Sequence, residues 1–127
     1  MKPNEYISNA LNTKSDHYDS ESVHPDVVHA AMGCVTEAGE LMDVCKRAFF
    51  YGKGKAAVDQ VNLVEEFGDL LWYVAIGLNA LGVDFEQAME ANIKKLAARY
   101  PEKFQTQRAH ERNLGKERGI LEESTSR

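Results

Sequence analysis

The chain has 127 residues, 43% of them hydrophobic, which is the size of one domain with enough apolar side chains for a core. With 20 acids against 15 bases the formal net charge is −5, so a nucleic-acid polymer is not an expected partner, because polyanion-binding surfaces need a clustered basic excess. No apolar run approaches the roughly 18 residues that span a membrane, and the opening stretch MKPNEYISNALNTKSD has no apolar signal core; a soluble, cytoplasmic protein is expected.

Taken in order, residues 4–12 place Tyr6, Ile7, Ala10 and Leu11 at helical spacing, and the polar stretch TKSDHYDSESVH reads as a loop. Pro25 and Asp26 open a long helix that runs to about Tyr51. Its apolar arc takes in Ala31, Cys34, Val35, Ala38, Leu41, Met42, Cys45 and Phe49, with Asp43 and Arg47 on the polar side. Cys34 and Cys45 sit too far apart along that helix to bridge each other and read as reduced. After a turn in YGKGKAAVD, Asp59 caps a second long helix, Gln60 to about Leu81, ended by Gly82. This helix is apolar nearly all round, more than one small chain can cover, and implies a subunit interface. Asp84 with Gln87 opens a last helix, Phe85 to Tyr100, whose apolar side includes Phe85, Met89, Ile93 and Leu96. The fold expected is all-α: an oligomeric, antiparallel bundle of about four to five helices over residues 1–104, followed by a loosely docked polar tail over 105–127 with a helical turn or more.

Acids interrupt both long helices where aliphatics belong. In NLVEEFGDLLWY, residues 62–73, Glu66 and Asp69 share a stripe with Asn62 and Tyr73, whereas Glu65 points away. On the preceding helix Glu37 shares its side with Ala30, Leu41, Val44 and Ala48, and Glu40 lies on the border of the same arc. Packed antiparallel, the two helices bring Glu37, Glu40, Glu66 and Asp69 face to face, and so much negative charge in an apolar seam calls for a cation. Oxygen-only donors suit Mg2+, with Mn2+ as a substitute. Zinc is disfavoured by scattered histidines, and a di-iron site because such sites use Glu-x-x-His pairs, whereas the third residue after Glu37 is Glu40 and after Glu66 is Asp69. A single Glu-x-x-Glu is usually a solvated face; two such pairs on adjacent apolar arcs are harder to read that way.

Several further side chains have both a functional and an ordinary reading. Lys46, Lys53 and Lys55 near the inter-helix turn suit a triphosphate but also complement a helix C-terminus. Asn92, Lys95 and Arg99 form one polar stripe, fit either for phosphate or base recognition or for solvent. Tyr73 suits stacking on a ligand or a place in an interface.

TEAGEL at 36–41, EEFGDLLWY at 65–73 and NIKKLAARYPEKF at 92–104 resemble the MazG-like, all-α nucleoside triphosphate pyrophosphohydrolases over roughly residues 26–104. The resemblance implies a homodimer or homotetramer that cleaves a nucleoside triphosphate between its α and β phosphates, giving a monophosphate and pyrophosphate. It places metal ligands on Glu37, Glu40, Glu66 and Asp69, the following aromatic on Tyr73, and the asparagine and lysine of the next helix on Asn92 and Lys95. Many members double the first glutamate, where this chain has Thr36. The charges suggest that Glu37 or Glu40 acts as general base towards an attacking water. Relatives specialised for dCTP, dUTP or phosphoribosyl-ATP, and a non-catalytic helical oligomer with a structural cation site, are the alternative readings.

Overall fold

A computed structural model of the protein describes residues 1–52 and 58–125, and all regular structure among them is helical. Six α-helices follow one another: α1 (Pro3–Thr13), α2 (Pro25–Lys46), α3 (Gln60–Ala80), α4 (Phe85–Arg99), α5 (Thr106–His110) and α6 (Leu114–Thr125). The helix expected to run from Pro25 to about Tyr51 is α-helical as far as Lys46 and continues as a π-helical turn, Arg47–Tyr51. His24 caps α2 by accepting the Asp26 N–H on its Nδ1. The Asp59 carboxylate accepts the first free N–H groups of α3, from Val61 and Asn62. At the other end of α3, Gly82 takes φ +69, its N–H reaches the Asn79 carbonyl and the Val83 N–H reaches that of Leu78. That is a Schellman closure, and it requires the left-handed residue that glycine supplies. The Asp84–Gln87 capping box then starts α4 as expected.

Helices α2 and α3 pack along each other and run antiparallel, as their paired residues show. Ala30 meets Gly77, Gly33 lies under the Tyr73 ring, and Glu37 and Glu40 meet Glu66. A Cβ on Gly33 would overlap the Tyr73 ring, and one on Gly77 would come within 3.1 Å of the Ala30 Cβ. The contact surface is thus narrower than the apolar arc expected on α2. Val35, Met42 and Phe49 of that arc are exposed, because α3 covers only the side of α2 that carries Ala30 and Gly33.

The polar residues beyond Pro101 form α5 and α6, and α6 packs along α4 where a loosely docked tail was expected. What draws α6 in is an ion pair. Glu117, 5% exposed, accepts from Arg99 through both its oxygens and from Arg112 as well. On α4, Ala91 is buried and Ala98 lies beside Glu117, while the apolar side is open: Met89 is 59% exposed and Ile93 is 65% exposed. Helix α1 is exposed throughout. The accessible surface is 10452 Å2. A folded monomer of this mass exposes about 6,800 Å2.

Two predictions test these contacts. Gly33→Ala should destabilise the protein by about 1–3 kcal/mol, read from the urea midpoint, since the new methyl overpacks against Tyr73; an unchanged midpoint would show that the ring swings clear without cost. The second concerns acid. Arg99, then Arg112, hold the Glu117 carboxyl down from 4.5 to about 2. A depressed folded-state value stabilises fully above pH 4.5 and is lost as the pH falls towards about 2. Helix content should therefore decline across that window in the wild type, whereas Glu117→Gln should start less stable at neutral pH and change less across the same window.

Candidate metal centre on the α2–α3 seam

One turn along the seam from the Gly33–Tyr73 contact, the small residues give way to acids. Glu37 and Glu40 project from α2 and Glu66 from α3, and one carboxylate oxygen from each lies within 4.8 Å of the others. Glu66 is 6% exposed, Glu37 is half-buried and Glu40 is open to solvent. The Asn62 side chain, one turn before Glu66, donates to its Oε1 at 2.7 Å. No cation of the chain is paired with Glu66 or Glu37 among the contacts described.

The electrostatic consequence falls on Glu37. Partial burial pushes its carboxyl above the usual 4.5, and the negative charges of Glu40, Asp69 and Glu66 push the same way, against a weak opposing bond from the Thr36 hydroxyl. Asp69 is therefore near enough to act on Glu37, although it stands outside the tight group of three. A hard divalent cation fits this set: the donors are all carboxylate oxygens, they converge from two rigid helices, and bringing them together is unfavourable without positive charge.

A cavity of about 560 Å3 opens beside the acids, lined by Gly39, Glu40, Asp43, Val44, Arg47, Asp59, Asn62 and Glu66. Three of these read as something else: from the sequence, Asp43 and Arg47 fall on the polar side of α2 and Asp59 reads as a helix cap. Asp43 binds Lys46 and Arg47, which hold its carboxyl below the usual range. Lys46, expected near the phosphates, is thus engaged by Asp43 at the cavity wall. Arg47 offers one guanidinium edge to Asp43 through Nε and, among the described residues, is the cation that lines the cavity. The sequence signal for Arg47 was available, four residues after Asp43 on one helix, but that spacing is ordinary for a surface pair.

The remaining expected residues are dispersed. Tyr73 packs over Gly33 with edge-on contacts to His29, at 5.5 Å between ring centres, and Trp72, at 4.9 Å, which makes it part of the seam beside the acids. Asn92 is exposed and Lys95 half-buried on α4, and neither lines the cavity. Arg99 is bound to Glu117. Lys53 and Lys55, with the middle of the turn expected in YGKGKAAVD, lie outside the described residues.

Neither a curated protein nor a solved structure matches the chain. The MazG nucleotide pyrophosphohydrolase domain matches residues 29–104, a segment that contains the whole acid cluster, the cavity wall and α4. On that match, which covers more than half of the sequence, the chain belongs to the MazG nucleotide pyrophosphohydrolase domain family.

Proposed function

We propose that the protein is a divalent-metal-dependent nucleoside triphosphate pyrophosphohydrolase that releases a nucleoside monophosphate and pyrophosphate. The observation that carries this reading is the convergence of Glu37, Glu40 and Glu66 within 4.8 Å on the seam of a chain of this family. These three, with Asp69 beside them, are the residues that would hold the cation, magnesium being the first candidate for an all-oxygen donor set. Bound there, a divalent ion supplies neutralising charge to phosphate oxygens and orients the groups of an in-line displacement.

The chain's own residues do the rest. Glu37 and Glu40 are the candidate bases: whichever keeps an oxygen free of the cation accepts the proton of the attacking water. Asn62 holds Glu66 in place through its amide, so that the buried ligand keeps one rotamer. Arg47 lines the cavity, and Lys46 is held by Asp43 of its wall, where a departing pyrophosphate needs positive charge. Tyr73, Asn92 and Lys95 belong to the same proposal as substrate contacts, the last two from a helix whose apolar face lies open.

The proposal includes assembly into a homodimer or homotetramer. Its support is the excess of accessible surface and the exposure of Val61, Val64, Phe67, Leu71 and Trp72 along α3, a helix with too many apolar sides for its neighbours within the chain. A cytoplasmic setting is proposed with it, on the two free cysteines. No helix among the described residues is long and apolar enough to cross a membrane.

Incubating ribo- and deoxynucleoside triphosphates with and without magnesium, and measuring pyrophosphate and monophosphate together, tests the reaction. Orthophosphate with diphosphate as products would refute the bond assigned. Glu66→Gln and Asp69→Asn should each cut turnover roughly 100-fold or more while leaving helical circular dichroism intact. Thermal melting gives a separate test. A raised folded-state pKa means that the ionised Glu37 works against the fold at neutral pH and that the strain eases as the pH falls towards 4.5. In a chelator Glu37→Gln should therefore melt a few degrees above the wild type. Magnesium should raise the melting point of the wild type and leave that of the variant nearly unmoved; a variant that melts lower in chelator would count against crowded charge.

A further inference from the structure

Helix α4 is held in place from one side. Along the chain described here it packs substantially on α6 and only slightly on α3, and its apolar side, with Met89 and Ile93, is open. Ala98 and Arg99 are the α4 residues that share a small cavity wall with Lys116 and Glu117 of α6, and Ala91, two turns before Ala98, is 2% exposed. At the centre is Glu117. Its Oε1 accepts from Arg99 Nε at 2.9 Å, its Oε2 accepts from Arg99 Nη2, and Arg112 Nη2 reaches the same Oε2 at 2.6 Å. Both Glu117 oxygens are thus taken, and Arg99 presents a two-pronged edge to a buried carboxylate. A phosphate could use that edge only by displacing it. Residues 106–125, which include α6, lie beyond the segment matched by the family, which ends at 104.

We propose that Arg99 is a positioning residue: with Glu117 and Arg112 it pins the α5–α6 extension against α4, and that pin sets where α4 holds Asn92 and Lys95. The pin stands on packing and hydrogen bonds alone; its effect on turnover rests on the pyrophosphohydrolase reading. A competing arrangement makes the opposite prediction. Were Arg99 a phosphate ligand masked by Glu117, freeing it would improve substrate binding. Under the pin, loss of either partner loosens the same helix, because a buried ion pair that loses one member leaves the other uncompensated.

Hydrogen exchange followed by mass spectrometry on the full chain, together with steady-state kinetics, separates the two. Glu117→Gln should lower amide protection in α4 and α6 by about tenfold or more and leave α2 and α3 unchanged. Arg99→Lys should do the same. The double variant should lose little more than either single one, since both remove one interaction. Arg112→Gln, whose side chain is 43% exposed, should produce a smaller loss, and it decides the matter if Glu117→Gln loses protection throughout. In kinetics, Arg99→Lys and Glu117→Gln should both raise KM several-fold with kcat changed by less than about twofold, as expected for groups that place the substrate without touching the reacting atoms. A lower KM for Glu117→Gln alongside a higher one for Arg99→Lys overturns the pin, as does unchanged α4 protection in all three single variants. Wild-type protein that cleaves no nucleotide would sink the enzymatic reading instead, and exchange would still decide the pin.

Discussion

The structure depends on how closely α2 and α3 approach each other. At one end of their seam the approach is made by absence: Gly33 leaves room for a tyrosine ring, and Gly77 lets the Ala30 methyl sit at the helix surface. The same two helices carry Glu37, Glu40 and Glu66 one turn further on. Helices drawn together by glycine cannot spread to relieve a group of like charges lying between them. Small residues and acids on one stripe are therefore parts of one arrangement, in which tight packing at one end fixes the distance between carboxylates at the other. Acids on loops would turn to water; here Glu66 is buried and tied to Asn62, so the negative charge stays where a cation would meet it.

Little of the protein's apolar surface is used within the chain. Among the described residues the buried hydrophobic ones are small, Ala30 and Ala91, while Phe67, Leu71 and Trp72 of α3 and Met89 and Ile93 of α4 are exposed. An exposed apolar face of that extent costs free energy in water, and the assembly proposed above would cover it. The faces concerned flank the helices that carry the acids and the Asn92–Lys95 stripe. In the assembly proposed above, completing the core and completing the substrate pocket would be the same event, which explains why Asn92 and Lys95 stand apart from the cavity within one chain.

The local rules of helix formation were legible in the residues. Asp59, Gly82 and the Asp84–Gln87 pair each mark a helix end with a particular hydrogen bond, and the structure makes those bonds. The acid cluster was legible for a related reason, since an acid on an apolar arc contradicts the pattern around it and periodicity gives its direction. Periodicity says nothing about which part of a broad apolar arc meets a neighbour. The arc on α2 contained Val35 and Met42, yet contact fell on the side of Ala30 and Gly33, because glycine scores as neither apolar nor polar and its value lies in the partner it admits. The docking of α6 was hidden for the opposite reason. Its driving group is a glutamate, and composition treats a polar stretch as solvated unless the partner guanidinium, 18 residues earlier, is known to face it.

Glu66 and Glu117 are nearly equal in burial, at 6% and 5% exposed, and they show two ways of keeping a carboxylate out of water. Glu117 has two guanidiniums on its two oxygens, and its carboxyl is held down to about 2. Its charge is answered inside the chain, and it serves to hold two helices together. Glu66 has one amide donor and faces two more glutamates, and the crowding appears as a raised carboxyl on Glu37. No cation among the described residues answers its charge. Desolvating an acid is unfavourable in both places; among the described residues two guanidiniums meet that requirement at Glu117 and a single amide at Glu66, so Glu66 and not Glu117 suits the cation site proposed above. Burial alone would rank the two together. The partner set distinguishes them, and it directs the search for chemistry to the α2–α3 seam and away from the Arg99 end of α4.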